Sequence, residues 1–76
     1  MTINSLLDAC EYVLTDQAAP QSSFWLAEQM KTMKIWQASE VDVREALNRD
    51  IAKNGTTSRF MKVADDEFAL AELTQE

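Results

Sequence analysis

Ala46-Leu47-Asn48-Arg49-Asp50-Ile51-Ala52-Lys53-Asn54-Gly55, followed by Ser58-Arg59-Phe60-Met61-Lys62-Val63 and Phe68-Ala69-Leu70, decides the fold of this 76-residue chain. Its first part reads as a helix, because Val43, Ala46, Leu47, Asp50 and Ile51 recur on one face at helical spacing. Gly55 is the expected left-handed terminator, with Asn54 as an alternative. Two short apolar strands follow, about 59–63 and 67–71, joined by the acidic turn Ala64-Asp65-Asp66-Glu67. That turn has no glycine, so a loop longer than a two-residue primed turn is expected. Phe60-Met61-Lys62-Val63 does not alternate cleanly, which predicts a bulge or a distorted strand.

Upstream, Ile3, Leu6, Leu7, Cys10, Val13 and Leu14 form one apolar face and predict a helix over about 3–17, with Thr2 as its N-cap. Ala18-Ala19-Pro20-Gln21 ends it, since proline disfavours helical geometry in the residue before it. Ser22 and Ser23 can cap a second helix over about 23–34, with Leu26, Met30 and Met33 buried and Ile35-Trp36 closing the core. Ser39 caps the third helix, about 40–53, and Glu40 and Asp42 in its first turn oppose the positive end of the helix dipole. Phe60, Val63, Phe68 and Leu70 supply the contacts from the hairpin onto the helices. A two-stranded hairpin is marginal alone and needs such a base. The expected fold is α+β and mostly helical: a single domain over 1–76, with three helices followed by a two-stranded β-hairpin wing, a winged helix-turn-helix.

Composition bounds the function. A 46% apolar chain with one Gly and one Pro is not a disordered segment. No apolar run reaches the roughly 20 residues that cross a bilayer, and Met1-Thr2-Ile3-Asn4-Ser5 lacks the basic start of a signal peptide, so no membrane partner is expected. One cysteine permits no internal disulfide and fits a reducing cytoplasm. The net charge is −6, but all seven basic residues lie between Lys31 and Lys62, giving that window +3 against −4 before it and −5 after it.

Catalysis has no visible foothold. With no histidine, the Ser-His-Asp and Cys-His arrangements are excluded, as are histidine-containing zinc sites. A single glycine builds no phosphate-binding loop, and no cofactor or metal is expected. Cys10 falls on the apolar face of the first helix and reads as a structural, buried thiol. Asp65 and Asp66 read as a solvated turn rather than paired catalytic carboxylates. Met30, Met33 and Trp36 read as core, whereas Trp25, beside Leu26, is a candidate for a partly exposed protein contact.

From about Leu6 to Leu70 the chain resembles the HARE-type helix-turn-helix domains. The resemblance runs through Pro20-Gln21-Ser22, Ile35-Trp36, Val43-x-x-Ala46-Leu47-x-Arg49-Asp50-Ile51, Asn54-Gly55, Ser58-Arg59-Phe60 with Lys62-Val63, and Phe68-Ala69-Leu70. It implies a winged helix whose relatives are fused to restriction endonucleases and chromatin proteins, or form the N-terminal domain of the RNA polymerase delta subunit. DNA binding is the usual proposal for that family, while the acidic delta-type domain works on polymerase. Two features depart from it: the entry to the third helix is Gln37-Ala38-Ser39, and the wing turn has no glycine.

For DNA, the third helix would enter the major groove and the wing would brace the backbone. Arg44, Asn48 and Arg49 are then the candidates for base edges. Thr56, Thr57, Ser58, Arg59 and Lys62 are candidates for phosphate, with Lys53 at the helix end. Arg44, Asn48 and Lys53 are expected to face outward and Arg49 towards an edge. The competing expectation is that Arg44 and Arg49 pair with Glu40, Glu45 or Asp50. The leading expectation is therefore a non-enzymatic domain that binds duplex DNA weakly in transcription or DNA defence. The alternative is an acidic interaction module for a protein such as RNA polymerase.

Overall fold

The computed structural model describes residues 3–71. Among them are α1 (Leu6–Gln17), β1 (Gln21–Ser22), α2 (Ser23–Met33), α3 (Glu40–Asn54), β2 (Phe60–Ala64) and β3 (Glu67–Leu70). The fold is α+β and mostly helical, three helices on a three-stranded antiparallel sheet in the order β1-β3-β2, an architecture compatible with a winged helix. The core gathers Cys10, Val13 and Leu14 of α1, Leu26 and Met30 of α2, Val43 and Leu47 of α3, and Phe60, Phe68 and Leu70 of the hairpin. Each fully buried side chain of this size contributes roughly 1.5–3 kcal/mol, which a domain this small needs.

Serines start all three helices. Ser5 Oγ accepts from the Asp8 N–H, Ser22 Oγ from the Trp25 N–H, and Ser39 Oγ from the Asp42 N–H. At α3 the Asp42 carboxylate also accepts from the Ser39 N–H, completing a capping box. α1 thus begins at the Ser5 cap rather than near residue 3. Ile3 still packs on the core from outside the helix, and Thr2 lies outside the described residues.

The helices end where expected, but their caps are unusual. α1 and α2 stop at Ala18 and Lys34, both left-handed, with no glycine in either place. Gly55 does close α3, but at φ +54°, ψ −123° rather than in the left-handed helical region. Met33 was expected inside and is 36% exposed, because α2 turns its core face through Leu26, Ala27 and Met30.

In the wing, two residues, Asp65 and Asp66, separate the strands, not a longer loop. Asp66 supplies the positive φ (+55°) for which glycine was sought, a conformation that Asp tolerates better than most residues. The expected bulge is present. Lys62 pairs with Phe68 and Ala64 with Glu67, so Val63 is the extra residue and is turned out, 47% exposed, instead of packing inward. Bulge and lysine together blunt β2 as an edge for strand addition. β1, which has no two-residue signature to detect, pairs Gln21 with Phe68 and Ser22 with Glu67.

A Cβ at Gly55 meets nothing within 4 Å, so substitution there isolates the backbone term. Gly55→Ala is expected to destabilise the domain by about 1–3 kcal/mol in urea unfolding, from φ/ψ strain alone. A change below a few tenths would show that the α3 terminus relaxes freely.

Candidate nucleic-acid interface

α3 buries Val43 and Leu47, so its opposite face points away from the core. At 100° per residue that face is a ridge of Val41, Glu45 and Ala52, all exposed. The basic candidates flank this ridge in two rows. Arg44 and Asn48 lie on one side and are partly buried, while Arg49 and Lys53 lie on the other and are exposed, so Arg49 is more open and Arg44 and Asn48 less open than expected. Val41 (44% exposed) and Glu45, not among the expected site residues, also lie on this outward face, where a helical wheel centred on Val43 and Leu47 places both.

Of the pairings expected on α3, Arg44 reaches Glu40 at 3.8 Å, an exposed i,i+4 contact. Glu45 and Arg49 do not form the bridge expected of them, and Arg49, Lys53 and Lys62 have no ion pair among the described residues. Asp50 is occupied otherwise, accepting from Asn54 Nδ2 at 2.8 Å and from Ser58 Oγ.

Three candidates from the segment between α3 and β2 are committed within the fold. Ser58 is buried, its hydroxyl donating to Asp50 and accepting from the Phe60 N–H at 3.1 Å. Thr57 Oγ1 donates to the Asn54 carbonyl at 2.7 Å. Arg59 Nη1 reaches Asp8 at 3.0 Å and Glu11 at 2.7 Å on α1, with its guanidinium 5.5 Å from the Phe60 ring centroid. These contacts fasten the entry of the hairpin to α3 and α1.

Lys62 and Thr56 remain exposed on the rim of an apolar depression of about 390 Å³ between the end of α3 and β2, which Ile51 and Phe60 also line. At the wing tip, Asp66 accepts from Ser23 Oγ at 2.7 Å, so it is a latch onto the start of α2 rather than a freely solvated turn residue. Cys10 is fully buried as expected, and desolvation pushes its thiol up to about 12, which leaves no reactive thiolate at neutral pH. No group of three or more His, Cys, Asp or Glu among the described residues is placed to hold a metal ion. No helix of the described residues is long and apolar enough to cross a membrane.

No protein-family model, curated protein or solved structure matches this chain.

The Arg59 bridge has a signature in acid. Its hydrogen bond is the main cause holding the Asp8 carboxyl below its ordinary 3.8, followed by the hydrogen bond from the Asn4 N–H. The Arg59 guanidinium is raised in turn, chiefly by Asp8. A carboxyl with a lowered folded pKa binds fewer protons folded than unfolded. Its stabilisation is complete above 3.8 and disappears as pH falls through the folded value. Arg59→Gln is therefore expected to lower Tm at neutral pH, with the gap to the parent chain closing in the acid range. A gap that persists undiminished in acid would place the Arg59 contribution elsewhere, in its packing on Phe60.

Proposed function

We propose that this chain is a non-enzymatic winged helix-turn-helix domain of the cytoplasm that contacts duplex DNA weakly, through α3 and the wing, in transcription or DNA defence. The observation that carries this reading is the row Arg49–Lys53, exposed on α3 and free of ion pairs among the described residues. Lys62 on β2 adds a third exposed cation from the wing. Together they supply phosphate contacts that position the helix, while the ridge between the two rows faces the bases. There Val41 offers an apolar contact for a thymine methyl, Glu45 an acceptor for a cytosine amine, and Asn48 a partner for adenine from the ridge edge. The resemblance to HARE-type domains fits this reading and the protein-interaction reading below alike.

Weakness follows from charge. Glu40, Asp42 and Glu45 line the leading half of α3, and Asp65 and Asp66 stand at the wing tip, all unfavourable to phosphate. Ser58, Thr57 and Arg59 contribute to the interface by shaping the hairpin rather than by touching DNA.

A second reading, an interaction module for a protein such as RNA polymerase, is favoured by Phe24. It is 57% exposed at the start of α2, while Trp25, the aromatic expected to serve there, is half-buried against the core.

Amide shifts under titration with a short random duplex separate the two. At low salt the DNA reading expects shifts within residues 40–62, with a slope of log K on log salt of about −3 for three phosphate contacts. Arg49→Glu and Lys53→Glu are each expected to weaken binding to every sequence and to reduce that slope by about 1. A duplex that leaves α3 unmoved at low salt rules the DNA reading out and passes the assignment to the Phe24 surface.

A further inference from the structure

A concavity of about 520 Å³ lies where α2 ends, lined by Lys31, Lys34, Ile35, Trp36 and Gln37. We propose that it docks a short acidic segment of a partner protein that carries one bulky apolar side chain, independently of any DNA contact by α3. Ile35 and Trp36 form an apolar floor: both are half-buried and packed against the core, so they are held in place before anything binds. A preorganised tryptophan beside a recess is the kind of group that anchors interfaces. Lys31 and Lys34 stand at the recess, exposed and without ion pairs among the described residues. Two free ammonium groups beside an apolar floor complement carboxylates flanking an apolar anchor.

Lys34 is an unexpected residue for its place. It sits at φ +59°, ψ +34°, where glycine or asparagine ordinarily closes a helix, and its N–H donates to the Lys31 and Met30 carbonyls. Any residue except proline provides that N–H. The cap therefore does not require the lysine side chain, which leaves its ammonium group free for the recess.

The surface next to Trp36 decides between a peptide and a nucleic acid. A second depression, about 300 Å³, shares Trp36 and Gln37 with the first and is lined by Asp42, Glu45 and Arg49 among others, two acids to one base. A phosphate chain stacked on Trp36 and continuing past it meets net repulsion. A short peptide whose acids stop at Lys31 and Lys34 does not.

The test titrates the full chain with a synthetic heptapeptide, one phenylalanine flanked by three glutamates on each side, and follows the amide and tryptophan indole N–H signals. Saturable shifts centred on residues 31–37 and the Trp36 indole are expected. The double variant Lys31→Gln/Lys34→Gly, or alanine for phenylalanine in the peptide, should weaken binding about tenfold. Lys34→Gly alone should leave Tm unchanged or raise it, which separates lost binding from lost folding. Shifts that duplex DNA causes on α3 should survive the double variant, so this proposal and the DNA reading succeed or fail separately. The proposal is overturned by absence of saturable shifts, by binding indifferent to both the lysine and the phenylalanine changes, or by a single-stranded oligothymidylate that moves the same residues at lower concentration.

Discussion

Burial of Phe68 in the middle strand is the constraint on which the other elements depend. Its backbone stands between Gln21 of β1 on one side and Lys62 of β2 on the other, and its ring is fully buried in the core. One residue thus joins the entry of α2, the wing and the packed helices. A two-stranded hairpin has little stability of its own in water. Here it gains a third strand and a helical base through β3, the strand with three successive buried residues, Phe68, Ala69 and Leu70. The Ser23–Asp66 hydrogen bond repeats that connection at the wing tip, so the wing is short and drawn back onto the domain.

Polar side chains finish what apolar burial begins. Asp50 gathers Asn54 and Ser58, so one carboxylate fixes both the end of α3 and the approach to β2. Arg59 carries the first residue beyond that turn back to Asp8 and Glu11 of α1. A small core leaves the chain dependent on such fastenings, because each ordered loop residue costs roughly 1–2 kcal/mol of backbone entropy that little burial there offsets. Polar residues that a winged helix would otherwise turn towards phosphate are drawn into holding the hairpin.

How much of this was legible follows from the range of the interactions. Helical periodicity and serine caps are local signals, and they placed α2 and α3 within a residue or two. The lack of a glycine misled only at the wing turn, where Asp66 adopts the positive φ of a two-residue connection. The ends of α1 and α2 fall where expected, at Ala18 and Lys34, although both caps also take a positive φ. β1 is a two-residue strand defined only by its partner across the sheet, so nothing in Gln21-Ser22 announces it. At the candidate interface, a helical wheel suffices to find the outer ridge of Val41 and Glu45. The engagement of Ser58 and Arg59 spans 8 to 51 positions in sequence and needed the fold to be seen.

The remaining tension lies between shape and charge. A winged helix presents a convex helix that fits a major groove, yet here the ridge that would enter carries Glu45, with Glu40 and Asp42 near the leading end. Those two acids also serve the helix itself, Asp42 closing the capping box and both opposing the helix dipole. The residues that start α3 well are therefore the ones that repel a polyanion from it. Basic residues are displaced to the flanks, Arg49 and Lys53 on α3 and Lys31 and Lys34 at the end of α2. Charge so arranged would steer an anionic partner to the flanks of α3 rather than to its leading end. The acidic remainder of the chain, at −4 and −5, limits how large that partner's charge can be. The two contacts proposed, a lightly held duplex on α3 and a short acidic segment beside Trp36, each involve few charges, as both constraints would require.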